Sequence, residues 1–206
     1  TGVLGLDQVC DGGLRAGIVT VLDCPLAAPS RALLYSTARH ADVATLLAVD
    51  DVHATARWLL AGASGVPAEL IRSRHLSTED WDAIAANIEG LAQRELSVTD
   101  APTMAGIGHL IEQNSPDVVI VEDLDRLGPV AETLESLVWL ARSTGVAMLT
   151  AVEEFPHLYG WTRDGILRVT VVPQSLASRA ALLSTDCGDG LTAGEVQIAT
   201  LTGHAV

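Results

Sequence analysis

The sequence contains no lysine: all 12 of its basic residues are arginine, against 26 acidic residues, for a net charge of −14. Affinity for nucleic acid rests largely on Lys and Arg neutralising phosphates, so a field of this sign opposes it, and direct nucleic-acid binding is expected to be weak or absent. Cysteine is scarce. Cys10, Cys24 and Cys187 are odd in number, far apart and without a CxxC pair, which argues against a zinc site or disulfide scaffold and suits a reducing compartment. No apolar run reaches the about 18 residues of a membrane span, and the opening TGVLGLDQVCDGGL lacks the basic flank and apolar stretch of a signal peptide. A soluble, cytoplasmic protein without a membrane association is expected, and the first residue, Thr1, leaves an upstream domain open. No HxxH or HExxH spacing joins His40, His53, His75, His109, His157 and His204, and no GxSxG surrounds Ser30, so histidine-metal and serine-hydrolase motifs are missing as well.

What is present is apolar and periodic. With 206 residues, 49% of them hydrophobic, and a mean hydropathy of +0.33, the chain can bury one sizeable core, and residues 1–206 are read as a single domain. Strand-like runs alternate with helical patterns, the signature of an α/β fold whose mostly parallel central sheet is flanked by helices. Strands are predicted near Ile18–Leu22, Val43–Val49, Leu96–Thr99, Val118–Val121, Val146–Val152, Ile166–Val172, Ala180–Ser184 and Val196–Thr200. Helices are predicted over Pro29–His40, Ala54–Ala61, Thr78–Arg94, Thr103–Asn114 and Val130–Ser143. Pro29 suits a first helical turn, Ser77 with Asp80 reads as a capping box, and Thr103 reads as an N-cap. From Gly165 to Leu201 helical periodicity is lost, which predicts antiparallel edge strands, two of them joined by a Cys187-Gly188-Asp189-Gly190 hairpin. Trp81 and Trp139, on helical faces with apolar neighbours, are expected in the core.

The stretch VTVLDCPLAAPSRALLYSTA, Val19 to Ala38, has the strand, tight turn and helix of a phosphate-binding loop, yet its turn has neither glycine nor lysine. The surrounding segments name a family. TGVLGLDQVCDGGLRAGIVTVL, Thr1 to Leu22, resembles the entry to the RecA-like motor domain of DnaB-type replicative helicases. ELIRSRHLSTEDWDAIAANIEGLAQRELSVTDAP, Glu69 to Pro102, is similar to the family segment in which an IRSG.L..EDW run leads through a helix to a short strand and a DD.P turn. DVVIVEDLDRL, Asp117 to Leu127, resembles the strand that carries the family's Walker B aspartate. The resemblance implies a RecA-like P-loop NTPase fold.

It also implies positions for the family's chemistry. In a working loop, glycines let backbone N–H groups wrap the phosphates, a lysine neutralises them and a hydroxyl holds Mg²⁺. Aligned on Pro25, the loop has Cys24, Leu26 and Ala28 at glycine positions, Pro29 at the lysine and Ser30 at the hydroxyl. Only Ser30 keeps the chemistry, Pro29 has no N–H, and Arg31 is the nearby cation. The catalytic glutamate falls near Asp50, the Walker B aspartate at Glu122 beside Asp123, and the γ-phosphate-sensing glutamine at Glu153. The Lys-x-Arg finger falls near Asp186 and Gly188, and the DNA-contacting stretch between Val152 and Gly165 carries Glu153, Glu154 and Asp164 against Arg163 alone.

Asp23, Asp50, Asp51, Glu122, Asp123, Asp125, Glu153 and Glu154 all fall just past strand ends, where ligands of open α/β sheets bind. The leading expectation is a DnaB-helicase-like domain that has lost ATP binding and hydrolysis, needs no cofactor, and acts as a binding or assembly module around DNA replication. Its partner would be a protein, with a replication protein one candidate, and its state a monomer or non-ring dimer rather than a hexamer. Two alternatives stay open. One is a functioning ATP- and Mg-dependent 5′→3′ helicase domain. The other is a cation-binding regulatory domain using Asp50, Glu122 and Asp123.

Overall fold

Strands that are apolar without interruption are suited to burial on both faces. That is how the sheet is built in the computed structural model of this chain, which describes residues 1–24, 27–100, 103–156, 164–173, 181–186 and 196–198. The strands are β1 (Val19–Asp23), β2 (Thr45–Val49), β3 (Leu96–Asp100), β4 (Val118–Val121), β5 (Ala147–Val152), β6 (Ile166–Pro173), β7 (Ala181–Asp186) and β8 (Val196–Ile198). The helices are α1 (Leu4–Val9), α2 (Ala27–His40), α3 (Val52–Ser64), α4 (Ala68–Ser73), α5 (Thr78–Ala92), α6 (Met104–Asn114) and α7 (Val130–Thr144). The strand order is β3-β2-β4-β5-β1-β6-β7-β8. Pairing is parallel from β3 across to β6, and β7 and β8 continue the sheet antiparallel. This is an α/β fold of the RecA-like or Rossmann type.

Because successive strand side chains point to opposite faces, each strand feeds two cores. Leu22, Leu47, Ile120 and Leu149 pack with Leu33, Leu34 and Leu59 of α2 and α3 on one face. Val21, Leu46, Val119 and Met148 pack with Ile107, Leu134 and Leu137 of α6 and α7 on the other. The chain therefore leaves β1 toward one face, through α2, and leaves β4 toward the other, through α7. Between these diverging exits a crevice opens at the carboxyl ends of β1, β5 and β4, the usual ligand position in open α/β sheets.

Local signals account for most boundaries. Ser77 and Asp80 form a reciprocal capping box at the start of α5, and the Thr103 hydroxyl accepts from the Gly106 N–H at the start of α6. Gly145, at φ 75°, ends α7 in the left-handed conformation that favours glycine. Two six-residue helices, α1 and α4, stand outside the predicted set, because so few residues do not establish a helical period. The expectation that Trp81 and Trp139 lie in the core is corrected: they are 58% and 64% exposed. In α7 the sheet-facing stripe is Leu134, Leu137, Val138 and Ala141, which turns residue 139 outward. In α5 only Ile84 is buried among the described side chains. The predicted Cys187–Gly190 hairpin, with Gly188 of the expected finger, lies outside the described residues, as do Pro25, Leu26 and Arg163.

Candidate functional site

Helix α2 starts at Ala27, so Pro29 is inside its first turn and Ser30 follows it at 5% exposure. Proline is tolerated there because first-turn N–H groups have no intrahelical partner, but it also contributes no donor to the crevice. One turn of helix puts Arg31 and Tyr35 on the same face, and both reach Glu122, the residue just after β4. The Tyr35 hydroxyl donates to Glu122 Oε1 at 2.6 Å, and Arg31 Nε stands 2.8 Å from the same oxygen. Thr55 Oγ1 of α3 lies 3.3 Å from the Tyr35 hydroxyl on its other side. Burial, reinforced by the hydrogen bond to Glu122, holds the Tyr35 pKa far above its ordinary value, so the hydroxyl remains a donor at neutral pH.

The same arrangement recurs at the other strand ends. Asp23, the last residue of β1, is 8% exposed, and Arg168 of β6 donates to its Oδ2 through Nε at 2.9 Å and also through Nη2. In the sheet register Arg168 stands opposite Val21, which shares a face with Asp23, so the guanidinium has only to lean along the strand. It also stacks on Phe155, 4.7 Å from the ring centroid. Asp50, just past β2, forms an ion pair with Arg126 from the turn after β4. Three carboxylates at the ends of β1, β2 and β4 thus each hold an arginine of their own.

The predicted site residues divide between two hollows. Glu122, Asp123 and Glu153 line an open cleft of about 690 Å³ together with Ser30 and Arg31. Asp50 lies instead in a small hollow of about 50 Å³ beside Asp100 and Arg126, with Asp123 on the boundary of both. Asp51, whose side chain accepts from the Ala54 N–H, caps α3, and that bond holds its carboxyl below the usual range. Cys24 is fully buried in the core on the α2 side of the sheet. Among the described residues no group of three or more His, Cys, Asp and Glu is arranged to hold a metal ion.

Tyr35, Arg126 and Arg168 are not among the residues that the sequence patterns single out. Tyr35 was legible in principle, being four residues from Arg31 on one helix. The two arginines were not, since only the sheet brings Arg168 to Asp23, 145 residues away in sequence.

The donors present do not suit the polyphosphate of ATP. Among the described residues one arginine, Arg31, faces five carboxylates in the larger cleft: Glu122, Asp123, Asp125, Glu153 and Glu154. That arginine is already engaged by Glu122, so phosphate could gain it only by leaving the carboxylate with a single donor. No protein-family model matches the chain, and no curated protein matches it.

Proposed function

We propose that the chain is a DnaB-helicase-like domain without ATP binding or hydrolysis, acting as a binding or assembly module in the setting of DNA replication. One observation carries the first half of this reading. Glu122, aligned with the Walker B carboxylate that would serve Mg²⁺, is held by Tyr35 and Arg31 of the chain itself. A carboxylate fixed by a buried hydroxyl and a guanidinium serves the fold, tying α2 to β4, and a nucleotide phosphate could recruit Arg31 only by taking it from that carboxylate. The replication setting rests on the resemblance of Glu69–Pro102 to the helicase family.

Calorimetric titration of the purified chain with Mg·ATP and Mg·ADP at physiological salt tests this. The expected result is no detectable heat up to roughly millimolar nucleotide, a binding energy weaker than about 4 kcal/mol. Micromolar binding would overturn it and favour the ATP-dependent helicase reading. Light scattering is expected to give a monomer or dimer mass, and a hexamer would contradict the assembly expected here.

A further inference from the structure

Helix α5 buries Ile84 alone among its described side chains, and the stripe beside it is apolar and open. Trp81 is 58% and Ile88 50% exposed, and Ala85 and Ala92 are exposed with them. Positions 81, 85, 88 and 92 repeat at the spacing of a helix–helix seam, so they form one stripe along the helix. Single exposed hydrophobics are ordinary on a protein surface, whereas four in helical register form a face. The chain passes from α5 into β3, the last strand of the sheet order, and among the described residues no strand lies beyond it.

The charge beside the stripe selects its occupant. Asp82 and Glu89, seven residues apart, run along one flank, and α5 carries Glu79 and Asp80 as well but no Lys or Arg. A second copy of this chain would bring the same acids to the same seam, with a net charge of −14 on each copy. We infer that the Trp81–Ala85–Ile88–Ala92 face docks an amphipathic helix of a partner protein, whose apolar seam is flanked by Lys or Arg that meets Asp82 and Glu89. Trp81 is the anchor, because a large aromatic at one end of an apolar seam contributes most of the desolvated area. This names a surface for the binding module proposed above. It lies on the connection to β3, apart from the crevice, so the nucleotide titration and the test below fail independently.

The probe is a fluorescently labelled peptide of ~20 residues, long enough to form helix, with leucines at i, i+4, i+7 and i+11 and lysines flanking them. A control carries glutamate in place of each lysine. Anisotropy with the whole chain is expected to show saturable binding of the lysine peptide that weakens with added salt, and affinity at least about tenfold lower for the glutamate peptide. Trp81→Ala should weaken the lysine peptide about tenfold or more, the loss typical of an anchor, and Trp139→Ala should leave it unchanged. Asp82→Asn with Glu89→Gln should weaken it and flatten the salt dependence. Because these side chains are exposed, each variant is expected to keep the wild-type urea midpoint. Absence of binding, equal binding of the two peptides, or equal effects of the two tryptophan variants would overturn the inference. So would a dimer in light scattering that Trp81→Ser dissolves, which would assign the face to a second copy.

Discussion

At the scale of single residues, the decisive contact is Tyr35 on Glu122. The hydroxyl is buried and its acceptor is a carboxylate, so the bond belongs to the charge-assisted class, while the phenylalanine that replaces it leaves the carboxylate short of a donor. Tyr35→Phe is expected to cost about 1–3 kcal/mol in urea denaturation at neutral pH. A pH series separates this from a packing effect. The folded state raises the hydroxyl above its ordinary value of 10.0, so the neutral form's contribution is complete below that pH and is lost as pH rises beyond it. Wild-type stability should therefore decline above pH 10.0, and the phenylalanine variant should lack that part of the decline. An unchanged alkaline profile would show that Tyr35 does not hold Glu122 in solution.

At the scale of elements, local sequence decides where helices begin, and contacts decide which face is covered. The capping box of α5 was readable in Ser77 and Asp80, and the structure gives both of its bonds: Asp80 N–H to Ser77 Oγ at 3.1 Å and Ser77 N–H to Asp80 Oδ2 at 2.9 Å. Ser77→Ala should lower stability by about 1 kcal/mol, read as a shift of the urea midpoint at constant slope. The tryptophans show the opposite case. Trp81 and Trp139 have apolar neighbours in the chain, yet each helix is covered on one side only, α7 by the sheet and α5 by α3, and that cover leaves both tryptophans outside.

At the scale of the whole molecule, Asp23 and Arg168 tie the first strand to the sixth. The carboxylate is nearly buried and the guanidinium about a third exposed, with side-chain exposures of 11% and 37%. Removing the cation strands a charge at the carboxyl end of the central strand β1. Arg168→Leu is expected to cost about 2 kcal/mol, less than the ~3–5 of a fully buried pair because solvent still reaches this one. Asp23→Asn with Arg168→Leu should recover part of that loss, since no charge is left unpaired, and a double variant as unstable as the single one would show that Arg168 acts through its stacking on Phe155.

The sequence by itself determined the alternation of apolar runs and helical patterns, hence an α/β sheet covered on both faces, with strand positions within a few residues. It also determined what the loop between β1 and α2 lacks, because the absence of lysine and of turn glycines does not depend on folding. Acid residues at strand ends were legible for the same reason, since each sits next to its own strand. Only the tertiary structure decided what those acids do. Asp23, Asp50 and Glu122 read as a converging cluster in sequence, but each is met by an arginine from a distant segment, and the charge of these three is paired within the fold. Coulombic pairing depends on distance in space, which a one-dimensional order of residues does not contain. The exposure of Trp81 follows from the same limit: burial is settled by which neighbouring element arrives, and none among the described residues covers that face of α5.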